Sequence, residues 1–204
     1  MKGFPGHSLD GTTLIEDDDK FGLLIKITTR GQLNIAEGEN LDKAFLKYVN
    51  PRRRLSAKTI LKVTFAKKFH KECFGDVWEW AGEFRNVATN PGIEWQHIQK
   101  ELDLLIKNIQ TQLGFITDQS DVAQKEKIIA AFSHKLVYIH PFRNGNGRWS
   151  RGYADLLADV LNINRFSWGS SIKSESERQL EMVNALKLAD TTNNIEPFLE
   201  WAKK

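Results

Sequence analysis

The sequence lacks the features that would mark a secreted or membrane-bound chain. Cys73 is the single cysteine among 204 residues, which excludes an internal disulfide framework and is typical of a reducing compartment. No apolar run approaches the ~20 residues that span a bilayer, and the opening segment MKGFPGHSLDG lacks the apolar region of a secretory signal. We therefore expect a cytoplasmic protein without membrane contact, in which Cys73 fills the core.

The chain also has little excess of charge of either sign. Its formal net charge of +3 is too small to indicate direct binding to nucleic acid. Apolar residues make up 41% of the chain and charged residues 27%, which is typical of a globular protein. Together with the length, this composition predicts one domain over residues 31–204, preceded by an extended N-terminal arm over residues 1–30.

Helical periodicity dominates the chain after the arm. The spacing of apolar residues and the capping residues Thr28 or Thr29, Ser56, Asp121 and Ser174 predict helices over residues 31–48, about 17 residues after Ser56, 95–113, 122–139, 148–161, 174–188 and 195–202. Residues 84–92 alternate weakly and end in the turn signature Asn90-Pro91-Gly92, which predicts a β-hairpin. The fold class is therefore mainly α, a helical bundle with one small hairpin.

The most informative segment is residues 140–151, HPFRNGNGRWSR, between two predicted helices. A glycine-rich turn that opens a helix presents free backbone N–H groups, which bind phosphate oxygens at the positive end of the helix dipole. Arg148 and Arg151 lie three residues apart on one helix face, and guanidinium groups match phosphate geometry. His140 directly precedes this turn, and imidazole is well suited to proton transfer near pH 7. The pattern indicates a base beside a polyphosphate site.

Each of these residues also has a purely structural interpretation. His140 alone fits a histidine that interacts with the last carbonyls of a helix. Gly145 and Gly147 alone fit a tight turn, because glycine permits positive φ. Arg148 and Arg151 alone fit a solvated surface. Only the combination in one segment favours a nucleotide site, with the ring of Phe142 in the core holding the loop in place.

The same segment resembles the signature of the Fic/Doc family, HPFx(D/E)GNGRxxR, at every fixed position except Asn144. FGDVWEWAGEFR, residues 74–85, resembles the segment before the flap of Fic domains. ITTRGQLNIAEGENL, residues 27–41, is similar to the bacterial subfamily called mobile mystery protein B, which also tends to carry Asn at this position. The resemblance to the Fic core covers residues 42–200.

The resemblance implies an activity and a role for each residue of the loop. A Fic-type enzyme moves AMP from ATP to a hydroxyl side chain of a target protein, with His140 as the base. Asn146 would donate its amide to the α-phosphate, and Arg148 and Arg151 would hold the β- and γ-phosphates. Gly145 and Gly147 would line the phosphate cradle. The predicted hairpin would be the flap, where the target docks by strand addition.

Asn144 stands where the family mostly has a carboxylate that binds the metal ion of the nucleotide. Mg²⁺ prefers hard oxygen ligands, typically one or two carboxylates together with phosphates and water. An amide oxygen also coordinates but lacks the charge. We therefore expect Asn144 to be a weakened ligand for Mg²⁺ or Mn²⁺.

Residues 33–38, LNIAEG, partly match the family's inhibitory motif (S/T)xxxE(G/N). In that family the glutamate pairs with the second arginine of the loop and excludes a productive γ-phosphate. The resemblance thus implies a Glu37–Arg151 ion pair that inhibits the enzyme. The alternative is that Glu37 is a surface residue of a helix. Residues 12–16 fit the pattern TxxxE as well.

Two other functions remain open at this point. The first is a non-catalytic or weakly active nucleotide-binding regulator of the toxin–antitoxin kind, which the Asn at position 144 motivates. The second is a Fic enzyme with another phosphate-containing donor, such as a kinase like Doc or a phosphocholine transferase, although Gly145 to Arg148 favour AMP transfer. The subfamily resemblance implies a small helix-turn-helix protein as a partner, and a homodimer is a further option.

Overall fold

The structure, a computed structural model, describes residues 21–48, 55–118 and 121–204. Within these ranges it contains eight α-helices and one short 3₁₀ turn, Trp95–His97. The helices are α1 (Arg30–Tyr48), α2 (Ala57–Ile60), α3 (Val63–Phe74), α4 (Ile98–Gly114), α5 (Val122–Ile139), α6 (Asn146–Val160), α7 (Glu175–Thr192) and α8 (Glu196–Lys203). The prediction of a mainly helical chain is confirmed.

Helix α5 lies at the centre of the bundle and packs against α4, α6 and α8. One narrow face of α5 is solvated, with Gln124, Lys127, Lys135 and Tyr138 exposed, and the rest of the helix is largely buried. Helices α5 and α6 both contribute fully buried residues, which include Ile129, Phe132 and Leu136 of α5 and Ala154 and Leu157 of α6. Helix α1 packs on α3, and α7 packs on α8. This arrangement brings the end of α5 and the start of α6 together at one end of the bundle.

The predicted capping residues begin the predicted helices. Asp121 accepts a hydrogen bond from the N–H of Gln124, and Ser174 accepts one from the N–H of Glu177. Such side-chain acceptors satisfy N–H groups that have no partner within the helix. The hydroxyl of Thr29 accepts from the N–H of Gln32 in the same way at the start of α1.

The long helix predicted after Ser56 is in fact two helices. α2 ends at Ile60, and α3 begins only at Val63. At the break, the Tyr153 hydroxyl donates to the carbonyl of Ile60, and the Gln110 amide donates to the carbonyl of Leu61 at 2.9 Å. Side chains from α6 and α4 thus take the carbonyls that a continuous helix would use. The apolar spacing alone did not reveal these distant partners.

The predicted hairpin at residues 84–92 is not found, because this segment contains no β-strand. Its shape depends on a side chain instead. The guanidinium of Arg85 donates to the carbonyls of Val87 at 2.7 Å and Ile93 at 2.5 Å, near the two ends of the segment. Cross-strand pairing would need main-chain partners, whereas here a buried cation takes these carbonyls. We call residues 84–93 the Arg85 loop.

Part of the predicted N-terminal arm lies beyond the described ranges, including the alternative TxxxE pattern at residues 12–16. The arm runs antiparallel to residues 77–79 where it is described. The N–H of Leu24 donates to the carbonyl of Val77, and the N–H of Glu79 donates to the carbonyl of Gly22. No helix within the described ranges is long and apolar enough to cross a membrane.

Candidate active site

His140 is the C-cap residue directly after α5, and its backbone is left-handed, with φ 51° and ψ 61°. Its Nδ1 lies 3.2 Å from the carbonyl oxygen of Val137. Because a carbonyl only accepts, Nδ1 carries the hydrogen and Nε2 keeps its lone pair. Burial lowers the pKa of His140 below its usual value, and the positive charge of Arg85 lowers this pKa further, while the bond to Val137 raises it. The imidazole is therefore neutral at pH 7, as a general base must be.

Gly145 precedes α6 in a left-handed conformation, with φ 76°. A Cβ at this position would lie 2.4 Å from the ring of Phe74, which is itself fully buried. Gly145 therefore uses the positive φ that glycine permits. Gly147 does not, because it lies in the first turn of α6 with helical geometry. The N–H groups of the first turn of a helix have no partner within the helix. In α6 no side chain caps them either.

Asn146 and Phe142 hold the loop in its shape. The Asn146 side chain accepts from the N–H of Phe142 at 2.9 Å and donates to the Phe142 carbonyl at 2.7 Å. Asn146 is buried, and the Phe142 ring is fully buried, in the core position predicted for it. The amide of Asn146 is thus used inside the loop, and its contact with an α-phosphate stays a prediction.

His70 of α3 is a second histidine at this site, and the sequence analysis missed it. Its Nδ1 accepts from the N–H of Gly82 at 3.0 Å, so its Nε2 carries the hydrogen and donates to the carbonyl of Asn144 at 3.1 Å. Its ring stacks on the ring of Phe142, with ring centroids 3.6 Å apart. Burial lowers the pKa of His70 to about 3, so this support of the loop stays neutral. In the sequence, His70 is one of several polar residues in an amphipathic helical pattern, which does not predict this role.

A cavity of about 350 Å³ opens beside the loop. His140 and the first turn of α6 line one side, and residues of α7 and the tryptophans Trp168 and Trp201 line the other. Four arginines lie on its wall: Arg143, Arg148, Arg151 and Arg178. One carboxylate, Glu175, accompanies them, so the cavity suits an anionic ligand.

Arg151 is a half-buried cation without an ion-pair partner among the described residues. Its Nη1 lies 3.6 Å from the sulfur of Met182, a weak acceptor. Burial lowers the pKa of Arg151 to about 10, and the neighbouring charge of Arg148 contributes to this shift. The carboxylates of Asp155 and Glu175 oppose this shift but form no ion pair with Arg151, so the guanidinium favours a further anion as its partner.

Glu37 of α1 lies under the loop and is only 1% exposed. One carboxylate oxygen lies 2.7 Å from a guanidinium nitrogen of Arg148. The other accepts from the indole N–H of Trp78 at 2.7 Å and from the Asn144 amide at 3.3 Å. The interpretation of Glu37 as a surface residue is therefore wrong.

The surroundings of Asn144 do not form a metal site of their own. Its Oδ1 accepts from the N–H of Gly145 at 2.7 Å, and its amide nitrogen faces Glu37. The described residues contain no group of three His, Cys, Asp or Glu side chains placed to hold a metal ion. An ion that reached this loop would depend mainly on the phosphates of a nucleotide.

Comparisons with known proteins match the segment that carries this loop. Residues 60–158 match the sequence profile of the Fic/DOC family. The chain is 30% identical over 134 residues to Probable protein adenylyltransferase y4lH of Sinorhizobium fredii. The aligned region covers 63% of this chain and 69% of that protein. The chain belongs to the Fic/DOC family. It is also 34% identical over 102 residues to protein adenylyltransferase VbhT of Bartonella schoenbuchensis, which covers 45% of this chain and a fifth, 20%, of that protein.

A solved Fic domain has the same fold. The N-terminal Fic domain of a VirB-translocated Bep effector protein from Bartonella quintana, with bound ADP, superposes with a TM-score of 0.65. The match covers 95% of this chain and 90% of that chain at 19% sequence identity. The helical bundle is therefore the Fic bundle.

Within the Fic family signature, one predicted pair is corrected. The resemblance implies that Glu37 binds the second arginine of the loop, Arg151, whereas the carboxylate binds the first, Arg148. The reason is the position of Trp78, whose indole holds the other carboxylate oxygen. Arg151 lies instead beside Met182 of α7.

The tryptophans Trp78, Trp80 and Trp95, on either side of the predicted flap, differ in their burial. Trp78 is buried, and Trp80 stacks on it with ring centroids 4.9 Å apart. Trp95 is 40% exposed and does not belong to the core. Nothing in the sequence around Arg85, the last residue of FGDVWEWAGEFR, predicts its contacts with the active-site loop.

Proposed function

We propose that this Fic protein is a protein adenylyltransferase that moves AMP from ATP to a hydroxyl side chain of a target protein. One observation carries the proposal. The neutral His140 lies at the edge of a cavity of about 350 Å³ whose wall holds Arg148, Arg151 and the uncapped start of α6. The names of the relatives y4lH and VbhT support the same activity.

The proposed reaction uses His140 as the general base. Nε2 accepts the proton of the target hydroxyl as its oxygen attacks the α-phosphorus of ATP. A new phosphorus–oxygen bond forms to the target, and the bond to the β-phosphate breaks, so pyrophosphate leaves. Arg148, Arg151 and the N–H groups of α6 hold the anionic triphosphate and stabilise the charge that develops. ATP would enter with Mg²⁺ or Mn²⁺ bound mostly through its phosphates, for which Asn144 offers at most one amide oxygen.

The target protein is proposed to dock on the exposed part of the Arg85 loop. This loop lies against the base, because a Cβ on Gly92 would come within 3.2 Å of the Cβ of His140. An extended peptide placed along residues 86–90 would bring a hydroxyl side chain towards Nε2. Strand addition needs only main-chain donors and acceptors from the loop, so it suits many target sequences.

We also propose that Glu37 inhibits this reaction in the free protein. Its carboxylate neutralises Arg148, one of the two arginines that would bind the triphosphate. A nucleotide must displace this carboxylate or bind with one arginine fewer. This proposal accounts for a buried carboxylate beneath an anion site without assigning a catalytic role to it.

The experiment that tests the function is labelling with ATP that carries ³²P at either the α- or the γ-position. Wild type, Glu37→Gln and Glu37→Gln/His140→Asn are incubated with cell lysate and Mg²⁺ or Mn²⁺. Asn replaces His140 because asparagine tolerates the left-handed backbone there. His97→Ala in the same background is the control, since His97 is an exposed histidine.

Label from α-ATP alone, lost with His140→Asn and kept with His97→Ala, is the expected result. Label from γ-ATP would indicate a kinase instead. Measurable ATP binding without transfer by any variant would contradict the proposal and favour the nucleotide-binding regulator.

A further inference from the structure

Arg85 is a buried cation whose hydrogen bonds go to main-chain carbonyls. It is 2% exposed and forms no ion pair within the described residues. Its Nε donates to the carbonyl of His140 at 2.6 Å, and its Nη2 lies 3.4 Å from the carbonyl of Ile139. Burial lowers the pKa of Arg85, and the negative charge of Glu94 opposes this shift. The positive charge therefore lies at the C-terminal end of α5, where the helix dipole favours a cation.

The main chain that Arg85 binds is the one that orients the base. A left-handed backbone costs a non-glycine residue roughly 1 kcal/mol or more, so His140 needs outside contacts to keep it. The Arg85 guanidinium binds the carbonyl of His140, and the Arg85 N–H donates to the next carbonyl, that of Pro141, at 2.9 Å. One residue thus holds both peptide groups that flank Pro141, the one before it and the one after it.

The same guanidinium also closes the Arg85 loop. It binds the carbonyls of Val87 and Ile93, so both ends of the loop meet at the residue that holds His140. Gly92 lies against this cluster, since a Cβ there would come within 2.7 Å of Nη2 of Arg85. A shift of the guanidinium would therefore move the loop and the histidine together.

We propose that Arg85 is a positioning residue for catalysis: it fixes the left-handed backbone of His140 and joins the Arg85 loop to the base as one unit. This inference rests on the proposed function. Arg85 lies behind the base and does not line the cavity, so it acts through His140 and not on the substrate. Target docking on the loop and alignment of the base then depend on the same four carbonyl contacts.

The test is Arg85→Lys, which keeps the charge but lacks the fork needed to reach carbonyls of both the loop and α5. Arg165→Lys is the matched control, because Arg165 pairs with Asp159 and does not line the cavity. Each change is made in the Glu37→Gln background. Three quantities are measured on the folded fraction: kcat, KM for ATP, and the ¹⁵N signals of the His140 imidazole.

We expect Arg85→Lys to lower kcat by about 10- to 100-fold, as misplacement of a catalytic group does, with KM for ATP within about twofold of the parent. The His140 imidazole signals should shift because the ring loses its fixed environment. Arg165→Lys should change none of these. The imidazole signals need no turnover, so they test Arg85 even if AMP transfer itself is absent.

A folded Arg85→Lys protein with unchanged kcat and unchanged His140 signals would overturn the proposal. Arg85→Gln, which removes the buried charge but keeps an N–H donor, is the second variant. It should show the same loss of kcat, and added guanidinium ion at millimolar concentration should partly restore the activity. If neither variant folds, Arg85 is a purely structural cation and the proposal is likewise overturned.

Discussion

The carboxylate of Glu37 lies 2.7 Å from the guanidinium of Arg148, beneath the loop that carries His140. The carboxylate is almost fully buried, whereas the Arg148 side chain is 18% exposed towards the cavity. Breaking a buried ion pair by removing one partner leaves an uncompensated charge. In this protein that charge would be an arginine at the mouth of an anion site, and an anionic ligand is the natural replacement for the lost carboxylate.

Replacement of Glu37 should therefore tighten nucleotide binding. In Glu37→Gln, the side-chain oxygen still accepts from Trp78, but Arg148 loses its counter-charge. We expect the Kd for ATP, measured by isothermal titration calorimetry, to fall about tenfold, the equivalent of about 1.4 kcal/mol. Glu39→Gln is the control, because Glu39 is exposed on the same helix. Equal affinities for Glu37→Gln and wild type would refute the inhibitory role.

Asn144 and Glu37 should be energetically coupled. The Asn144 amide donates to the Glu37 carboxylate, and an aspartate at position 144 would place two carboxylates side by side. We expect Asn144→Asp to lower the free energy of unfolding by about 1–2 kcal/mol in the presence of Glu37 and by much less in Glu37→Gln. A double-mutant cycle in urea, with EDTA and without nucleotide, measures this coupling. Additive effects would mean that the two side chains do not interact.

The two glycines of the loop should respond differently to alanine. In Gly145→Ala the new methyl group would meet the buried Phe74 ring at 2.4 Å, and φ is positive, so we expect a loss of about 2–3 kcal/mol of stability. In Gly147→Ala the nearest atom is Nη1 of Arg151 at 3.6 Å, which is ordinary contact. Because Gly147 is helical, that variant should keep or gain about 0.5–1 kcal/mol. Urea unfolding of both variants checks the order, and a more stable Gly145→Ala would contradict the structure of the loop.

Asp155 should make the protein less stable as the pH rises towards neutrality. Burial raises the pKa of Asp155 from 3.8 to about 7, although the bond from Trp168 opposes this shift. The unfolded chain releases the proton near pH 3.8 and the folded chain near pH 7, so the folded state binds more protons between these values. Its stability therefore falls as the pH rises from about 4 to 7 and changes little from this cause above pH 7.

Asp155→Asn should remove this part of the pH dependence. The asparagine oxygen can still accept from the indole of Trp168, but it does not ionise. Relative to wild type, the variant should gain stability with rising pH, by about 4 kcal/mol at most at pH 8. Urea titrations of both proteins at pH 5, 6, 7 and 8 give the difference. A constant difference across these values would mean that Asp155 ionises normally.

Much of the fold was readable from local signals. The starts of α5 and α7 were predicted from the caps Asp121 and Ser174, because each cap side chain accepts from the N–H only three residues further along the chain. The break after Ile60 and the absent hairpin were not readable. Both depend on partners distant in sequence, namely Tyr153 at the break and the loop-closing contacts of Arg85.

The sequence by itself determined the loop, since residues 140–151 contain within one short segment the base, the left-handed glycine and the two arginines. Only the tertiary structure decided which partner each of these residues meets. Glu37 reaches Arg148 because Trp78 holds its other oxygen, and His140 keeps its backbone because Arg85 binds its carbonyl. These contacts join residues dozens of positions apart. They exist because α1 packs on α3, α3 packs on α6, and the segment after α3 reaches both α1 and the end of α5.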